Sequence, residues 1–244
     1  MRGLPLLLGS VVGCLGLAAS DSLTTPAAAD AATASPAVAR VTYGSGETGD
    51  RLELRLRAAV QQLRGARERR AGYDRDRFDH WTDADGDCLD TRDEVLRQES
   101  RVPASGPACD ISTGRWLSYY DHARWTDDDD VDIDHLVPLA EAWDSGARRW
   151  NDGTRRRFAN DLRDGRALVA VTDDVNQSKG DQDVAEWLPP RRGEHCRYVR
   201  QWVAVKVRWS LRVDRPERRA LRREAAVCRN RVLTVRTARI RTPG

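Results

Sequence analysis

Val131-Asp132-Ile133-Asp134-His135-Leu136-Val137-Pro138 alternates β-branched and acidic residues with the period of a strand. Val131 and Ile133 then enter a core while Asp132 and Asp134 share the opposite face, with His135 at the strand's exit. Pro138 stops the run. Leu139 to Trp143 followed by Ser145-Gly146-Ala147 reads as a short helix and turn, and Arg155 to Leu162 as a second helical piece containing Asn160. Ala167 to Thr172 is apolar and of strand length, which makes it the second strand of a hairpin with a long insert. Asp173 or Asp174 caps the helix that follows, carrying Asn176 and Lys179. The fold class expected is α+β, a hairpin and helix embedded in a mostly helical single domain.

Outward from this core, Tyr198, Trp202, Val205 and Trp209 recur at spacings of four, three and four, predicting an amphipathic helix over about 197–211. Its aromatic stripe is what a core face requires. A further helix over about 216–228 carries many arginines, and the chain beyond Arg236 reads as a loose tail. On the other side, Leu52, Leu54, Leu56, Val60 and Leu63 with interleaved arginines predict a helix over about 51–69, ended near Gly72. Trp116 to Trp125 reads as a strand or hairpin. His122 within it has no partner group at motif spacing and reads as a packed or surface residue.

Asp83-Ala84-Asp85-Gly86-Asp87-Cys88 leads through Asp90 to Glu94. Counted as a twelve-residue calcium loop, it offers oxygens from Asp83, Asp85, Asp87 and Glu94, because a hard cation needs several oxygens converging from a tight turn. Two positions depart from that pattern: Cys88 stands where the turn wants glycine, and Asp90 where an apolar residue is usual. The alternative is an acidic turn capping a helix through Thr91 to Leu96.

The chain of 244 residues is 40% apolar and 32% charged, enough for one sizeable core. Net charge is only +3, but Arg191 to Arg241 holds 17 bases against 4 acids, while Asp127 to Asp134 holds six carboxylates and no base. Basic flanks around an acidic centre suit a metal-dependent enzyme acting on a polyanion; a solvated arginine-rich surface is the competing reading. Residues 1–29 read as a secretory signal, too short and broken for a membrane span. Val11-Val12-Gly13-Cys14 also resembles a lipobox, which offers a lipid anchor at Cys14 as the alternative to simple secretion. Residues 30–49 have linker composition, residues 50–235 the domain with its motif core at 131–181, and 236–244 the tail.

Cys88, Cys109, Cys196 and Cys228 remain, an even number in an exported chain, which points to two disulfides. Four cysteines allow three pairings. Cys88 with Cys109 and Cys196 with Cys228 close local loops on either side of the motif core. Zinc is the competing use, but the C-x-x-C and H-x-x-x-H spacings are missing.

Asp-Ile-Asp-His-Leu-Val-Pro-Leu, Phe158-Ala159-Asn160-Asp161-Leu162 and Asn176-Gln177-Ser178-Lys179-Gly180-Asp181 together resemble the HNH, or ββα-metal, endonuclease superfamily. They are most similar to a secreted bacterial HNH family related to the C-terminal domain of GmrSD-type restriction enzymes. The likeness extends over roughly 50–230, including Trp81 through Leu96, Ala142 to Ala147, Glu186 to Pro190 and Cys196-Arg197-Tyr198. It implies a metal-dependent phosphodiester hydrolase, with DNA as the favoured substrate and Mg²⁺ or Mn²⁺ as the ion; a monomer is expected, and the acidic spacing of the 83–94 loop separately offers structural calcium. By the resemblance, His135 is the general base, Asp134 and Asn176 hold the metal with Asp132 supporting its shell, Asn160 orients the histidine's loop, and Lys179 contacts phosphate. The long insert from Leu139 to Phe158 is where substrate preference is expected. A degenerate scaffold serving as a secreted calcium-stabilised binding protein is the alternative.

Overall fold

A computed structural model describes residues 48–244; the signal, the Cys14 anchor and most of the linker lie outside these residues. Strand β1 (Thr48–Arg55) leads directly into α1 (Leu56–Gln62). The expected helix over 51–69 is thereby corrected: its first leucines lie in a strand. Leu52, Leu54 and Leu56 fit period two as well as a helical stripe, and the partner strand decides. That partner is β6 (Val232–Ala238) at the far end of the chain, antiparallel, with Leu54 opposite Leu233 and Leu52 opposite Val235. Leu233 and Val235 face the core while Val232 and Thr234 face out. The loose tail is corrected in the same way, since the chain beyond Arg236 continues the strand to Ala238.

Helix α2 (Thr91–Glu99) begins with a capping box: Asp90 accepts from the backbone of Arg92 and Asp93, and Asp93 accepts from Asp90 N. Strands β2 (Thr113–Leu117) and β3 (Arg124–Asp127) pair as the predicted hairpin. The central stretch forms β4 (Val131–His135), then α3 (Leu139–Ser145), α4 (Asp152–Ala159) and β5 (Leu168–Thr172). β4 and β5 are antiparallel with Val131 opposite Thr172 and His135 opposite Leu168. Helix α5 (Asp173–Lys179) follows without a break, and Gly180 closes it at φ +53. The second helical piece of the insert starts earlier than expected, at Asp152 with Asn151 as its cap, so Asn160 is the C-cap rather than an interior residue.

Helix α6 (His195–Arg208) buries Tyr198, Trp202 and Val205 on the predicted face, with Trp209 just past its end. Each such side chain contributes about 1.5–3 kcal/mol on leaving water. Helix α7 (Arg215–Val227) is capped by Asp214 and has Pro216 in its first turn. Both disulfides are the pairs favoured from sequence: Cys88–Cys109 with Cα atoms 5.3 Å apart and Cys196–Cys228 at 5.5 Å. Among the described residues no helix is long and apolar enough to cross a membrane.

The long insert has a structural explanation. All seven residues of α3 are buried, and Trp143, Trp150 and Phe158 join Phe78 and Trp209 in one aromatic cluster. The α3 part of the segment is core, whereas Arg149, Asp152, Gly153 and Arg156 stay exposed. The charges of α3 are internal: Glu141 meets Lys206, whose Nζ lies 2.5 Å from Glu141, 2.9 Å from Ser145 and 2.7 Å from Glu217.

Candidate active site

The hairpin's two faces carry different chemistry because strand side chains alternate. Asp132 and Asp134 face α5. Asn176 donates its amide nitrogen to Asp132 Oδ2 at 2.8 Å, and Lys179, one turn on, places Nζ 2.7 Å from Asp134 Oδ1 and 3.1 Å from the carbonyl of His135. The spacing of three between Asn176 and Lys179 on a helix therefore matches the spacing of two between the acids on a strand. Asp134 Oδ2 accepts from Tyr120 Oη at 2.5 Å. Lys179 and Asp134 are 0% and 5% exposed. Burial pushes the Asp134 carboxyl up and the Lys179 ammonium down, and their mutual attraction opposes both shifts.

Two of the predicted roles meet this geometry badly. Lys179 is buried on Asp134 and does not face solvent where a phosphate would lie. Asp134 has each oxygen engaged, one by an ammonium and one by a phenol, so it does not fit a metal while Lys179 stays in place. Asp132 and Asn176 fit better: Asp132 is half-buried, its carboxyl raised chiefly by burial, and the pair offers the oxygen donors a hard cation prefers.

His135 is 6% exposed. Its Nε2 lies 2.8 Å from the carbonyl of Ala159, which as an acceptor fixes the proton on Nε2 and leaves Nδ1 with a lone pair. Burial, reinforced by Arg75 and His80, pulls the imidazole down to about 3, so it is neutral at any ordinary working pH. Trp81 stacks on the ring at 5.1 Å and 27°, and His80 stands edge-on at 6.4 Å. Arg75 Nε lies 3.3 Å from His80 Nε2.

Asn160 bonds backbone, on the 79–82 loop and its own helix rather than on the loop that holds His135. Its amide nitrogen donates to the carbonyls of Asp79 and Arg156 at 2.9 and 2.8 Å, and its oxygen accepts from Thr82 N at 3.1 Å. That closes the loop carrying His80 and Trp81, with Trp81 held at φ +59. His80, Trp81, Arg75 and Tyr120 were not singled out from sequence. They lie 15 to 60 residues from His135; Trp81 opens the 81–96 stretch that bears the resemblance, and His80, Arg75 and Tyr120 carry no local pattern.

The candidate calcium loop is partly assembled. Asp83, Asp85 and Asp87 offer oxygens within 4.8 Å of one another, and Cys88 adopts φ +74, the left-handed conformation its position wanted from glycine. Glu94 does not join them, because it pairs with Arg97 on its own helix. Asp83 accepts from Gly86 N and Cys88 N, so its carboxylate already shapes the turn. His122 bonds Glu194 at 2.9 Å, as a surface histidine.

The family described as GmrSD restriction endonucleases, C-terminal domain, matches residues 90–224, from α2 to α7. An uncharacterized secreted protein of Arthroderma benhamiae is 47% identical over 150 residues, 62% of this chain and 72% of the relative. This relative is fungal, so the likeness is not confined to bacteria. No solved structure matches.

Proposed function

The chain belongs to the family of the GmrSD restriction endonuclease C-terminal domain, and from that premise we propose that it is a secreted endonuclease that hydrolyses phosphodiester bonds, with DNA as the favoured substrate. The observation that carries this reading is the tautomer lock on His135: a carbonyl on Nε2 and a free lone pair on Nδ1, at the end of a strand whose acids face Asn176. A neutral imidazole in that state takes a proton from water as it attacks phosphorus. Free of substrate it is a weak base, but a phosphate diester anion beside it raises its proton affinity, opposing the effect of Arg75 and His80.

In this reading the hairpin and α5 are a ββα-metal core, and Asp132 and Asn176 would hold Mg²⁺ or Mn²⁺. The ion would supply Lewis-acid charge on the phosphate and its leaving oxygen. His80 lies edge-on to the His135 ring and Arg75 bonds His80, so both would stand near a phosphate bound beside the imidazole. Asn160 keeps Trp81 against the imidazole. Secretion agrees with the two disulfides and with the relative's name.

The saturated Asp134 carboxylate favours one second reading, a scaffold that binds without cutting. The test is incubation of the chain with supercoiled plasmid and with RNA in Mg²⁺, Mn²⁺ or EDTA. Nicking that needs the divalent ion and vanishes in His135→Ala supports the nuclease; no cutting with any ion, or equal cutting by the variant, favours the scaffold.

A further inference from the structure

The hairpin of β2 and β3 divides its side chains between two faces. Trp116 and Trp125 stand opposite each other on the inner face: Trp116 is buried and donates Nε1 to the carbonyl of Leu96 at 2.8 Å, and Trp125 donates Nε1 to Thr172 Oγ1 at 2.9 Å. The alternate residues therefore face outward, Arg115 and Leu117 on β2 and Arg124 opposite Leu117 on β3. Arg101 joins them from the segment after α2. Its N–H donates to the carbonyl of Arg115 at 2.9 Å, and Ser100 Oγ accepts from Arg115 N at 2.9 Å, which fixes the two arginines side by side.

Arg101, Arg115 and Arg124 are exposed and, with Trp116 and Leu117, line a cavity of about 250 Å³. No acid lines it. Among the described residues, none of the three guanidiniums has a hydrogen bond, an ion pair or a ring contact. The neighbouring acids are engaged elsewhere: Glu99 accepts from Ala170 N, Asp121 from Thr172 Oγ1 and Ala123 N, and Asp128 pairs with Arg92. Asp127 lies at the far end of the hairpin, opposite Thr113, and accepts from Asp129 N. Three like charges around one opening repel each other, and the low-dielectric wall beneath them focuses their positive potential on whatever anion enters.

We propose that this outer face of the hairpin is a contact for the sugar-phosphate backbone of nucleic acid, separate from the catalytic strand, with the three guanidiniums on phosphate oxygens. The choice of nucleic acid as partner rests on the proposed function; the surface itself rests on three arginines that share a cavity and lack partners. A guanidinium's planar fork pairs two phosphate oxygens at once, and three forks from neighbouring strands can engage more than one phosphate. Such a contact holds the backbone and reads no base. Thr172 lies opposite Val131 and immediately precedes α5, so the bond from Trp125 ties this face to the strand pair that carries Asp132 and His135. A backbone held on the arginines is therefore held at a set distance from the site.

The experiment measures binding of a short labelled DNA duplex to the full chain by fluorescence anisotropy in EDTA, across about 50 to 200 mM NaCl. Four chains are compared: wild type; Arg101→Gln with Arg115→Gln and Arg124→Gln; the same three positions changed to lysine; and Arg219→Gln with Arg222→Gln and Arg223→Gln, which removes equal charge from exposed positions of α7. The glutamine variant of the hairpin should bind about 10- to 100-fold more weakly at the lower salt, and its plot of log K against log salt should be shallower by about two to three. The lysine variant should keep the salt slope but not the full affinity, because an ammonium keeps the charge without the fork. The α7 variant should stay within about threefold of wild type, since scattered surface charge is screened at these salt concentrations. Unchanged binding by the hairpin glutamine variant, or equal weakening in the α7 variant, would overturn the proposal. So would a hairpin glutamine variant that loses binding to phosphatidylserine vesicles while keeping that to DNA, which would make the face a membrane contact. A wild type that binds through the hairpin but cuts nothing in Mg²⁺ or Mn²⁺ removes the nuclease reading and leaves this contact in place.

Discussion

Lys179 Nζ sits 2.7 Å from Asp134 Oδ1 inside the protein, with neither side chain open to solvent. The chain has 41 basic residues, and its two lysines, Lys179 and Lys206, are both fully buried on carboxylates. A compact ammonium on a flexible stem fits between several acceptors where a planar guanidinium does not. Both lysines thus serve internal ion pairs, alongside the buried Arg208–Asp161 pair.

Removing one partner leaves an uncompensated buried charge. Lys179→Met should cost about 3–5 kcal/mol in urea denaturation, and adding Asp134→Asn to it should recover part of that loss. If the single variant loses less than about 1 kcal/mol, the pair is solvated rather than buried.

His135→Ala should lower plasmid nicking by about 10²–10⁴-fold at saturating Mn²⁺. Wild-type levels of nicking in a variant whose folding is intact by circular dichroism would remove His135 from the chemistry.

Asn160→Ala deletes three hydrogen bonds to backbone and frees the loop that presses Trp81 on His135. A stability loss of about 1–3 kcal/mol is expected. Activity should fall at a temperature where the variant is still folded, with kcat changing more than KM. Asn160→Asp keeps the acceptor for Thr82 N but turns a carboxylate oxygen toward the carbonyls of Asp79 and Arg156, and should lose at least as much stability as Asn160→Ala.

Glu99 accepts from Ala170 N at the edge of β5, and burial raises its carboxyl from 4.5 to about 7. The folded chain holds this proton more tightly than the unfolded chain. Its contribution to stability is therefore complete below about pH 4.5 and is lost as pH rises through about 7. Glu99→Gln should match wild type in Tm at pH 4.5 and exceed it at pH 8 by about 3–6 °C. Equal Tm differences at both pH values would mean that the carboxyl titrates normally.

The legible parts were those with a local signature. Val131 to His135 and Ala167 to Thr172 showed their hairpin through residue alternation and length, and the stripe of Tyr198, Trp202 and Val205 showed its helix. An acidic turn capping a helix through Thr91 to Leu96 was one of the two readings of that stretch, and the favoured disulfide pairing was the one that closes local loops. Leu52, Leu54 and Leu56 misled because three leucines at intervals of two suit a strand and, with Val60 and Leu63, also a helix. The choice was made by β6, about 180 residues away.

At the site, sequence alone determined which residues share a strand face and which recur on the helix beyond it: Asp132 and Asp134, then Asn176 and Lys179. These follow from the fixed periods of strand and helix. The tertiary structure decided their employment, burying Lys179 on Asp134, setting Trp81 on His135 and aiming Asn160 at the 79–82 loop. Such pairings join segments remote in the chain, and they are fixed by which charges burial forces together and which rings fill the remaining space, quantities that no local pattern encodes.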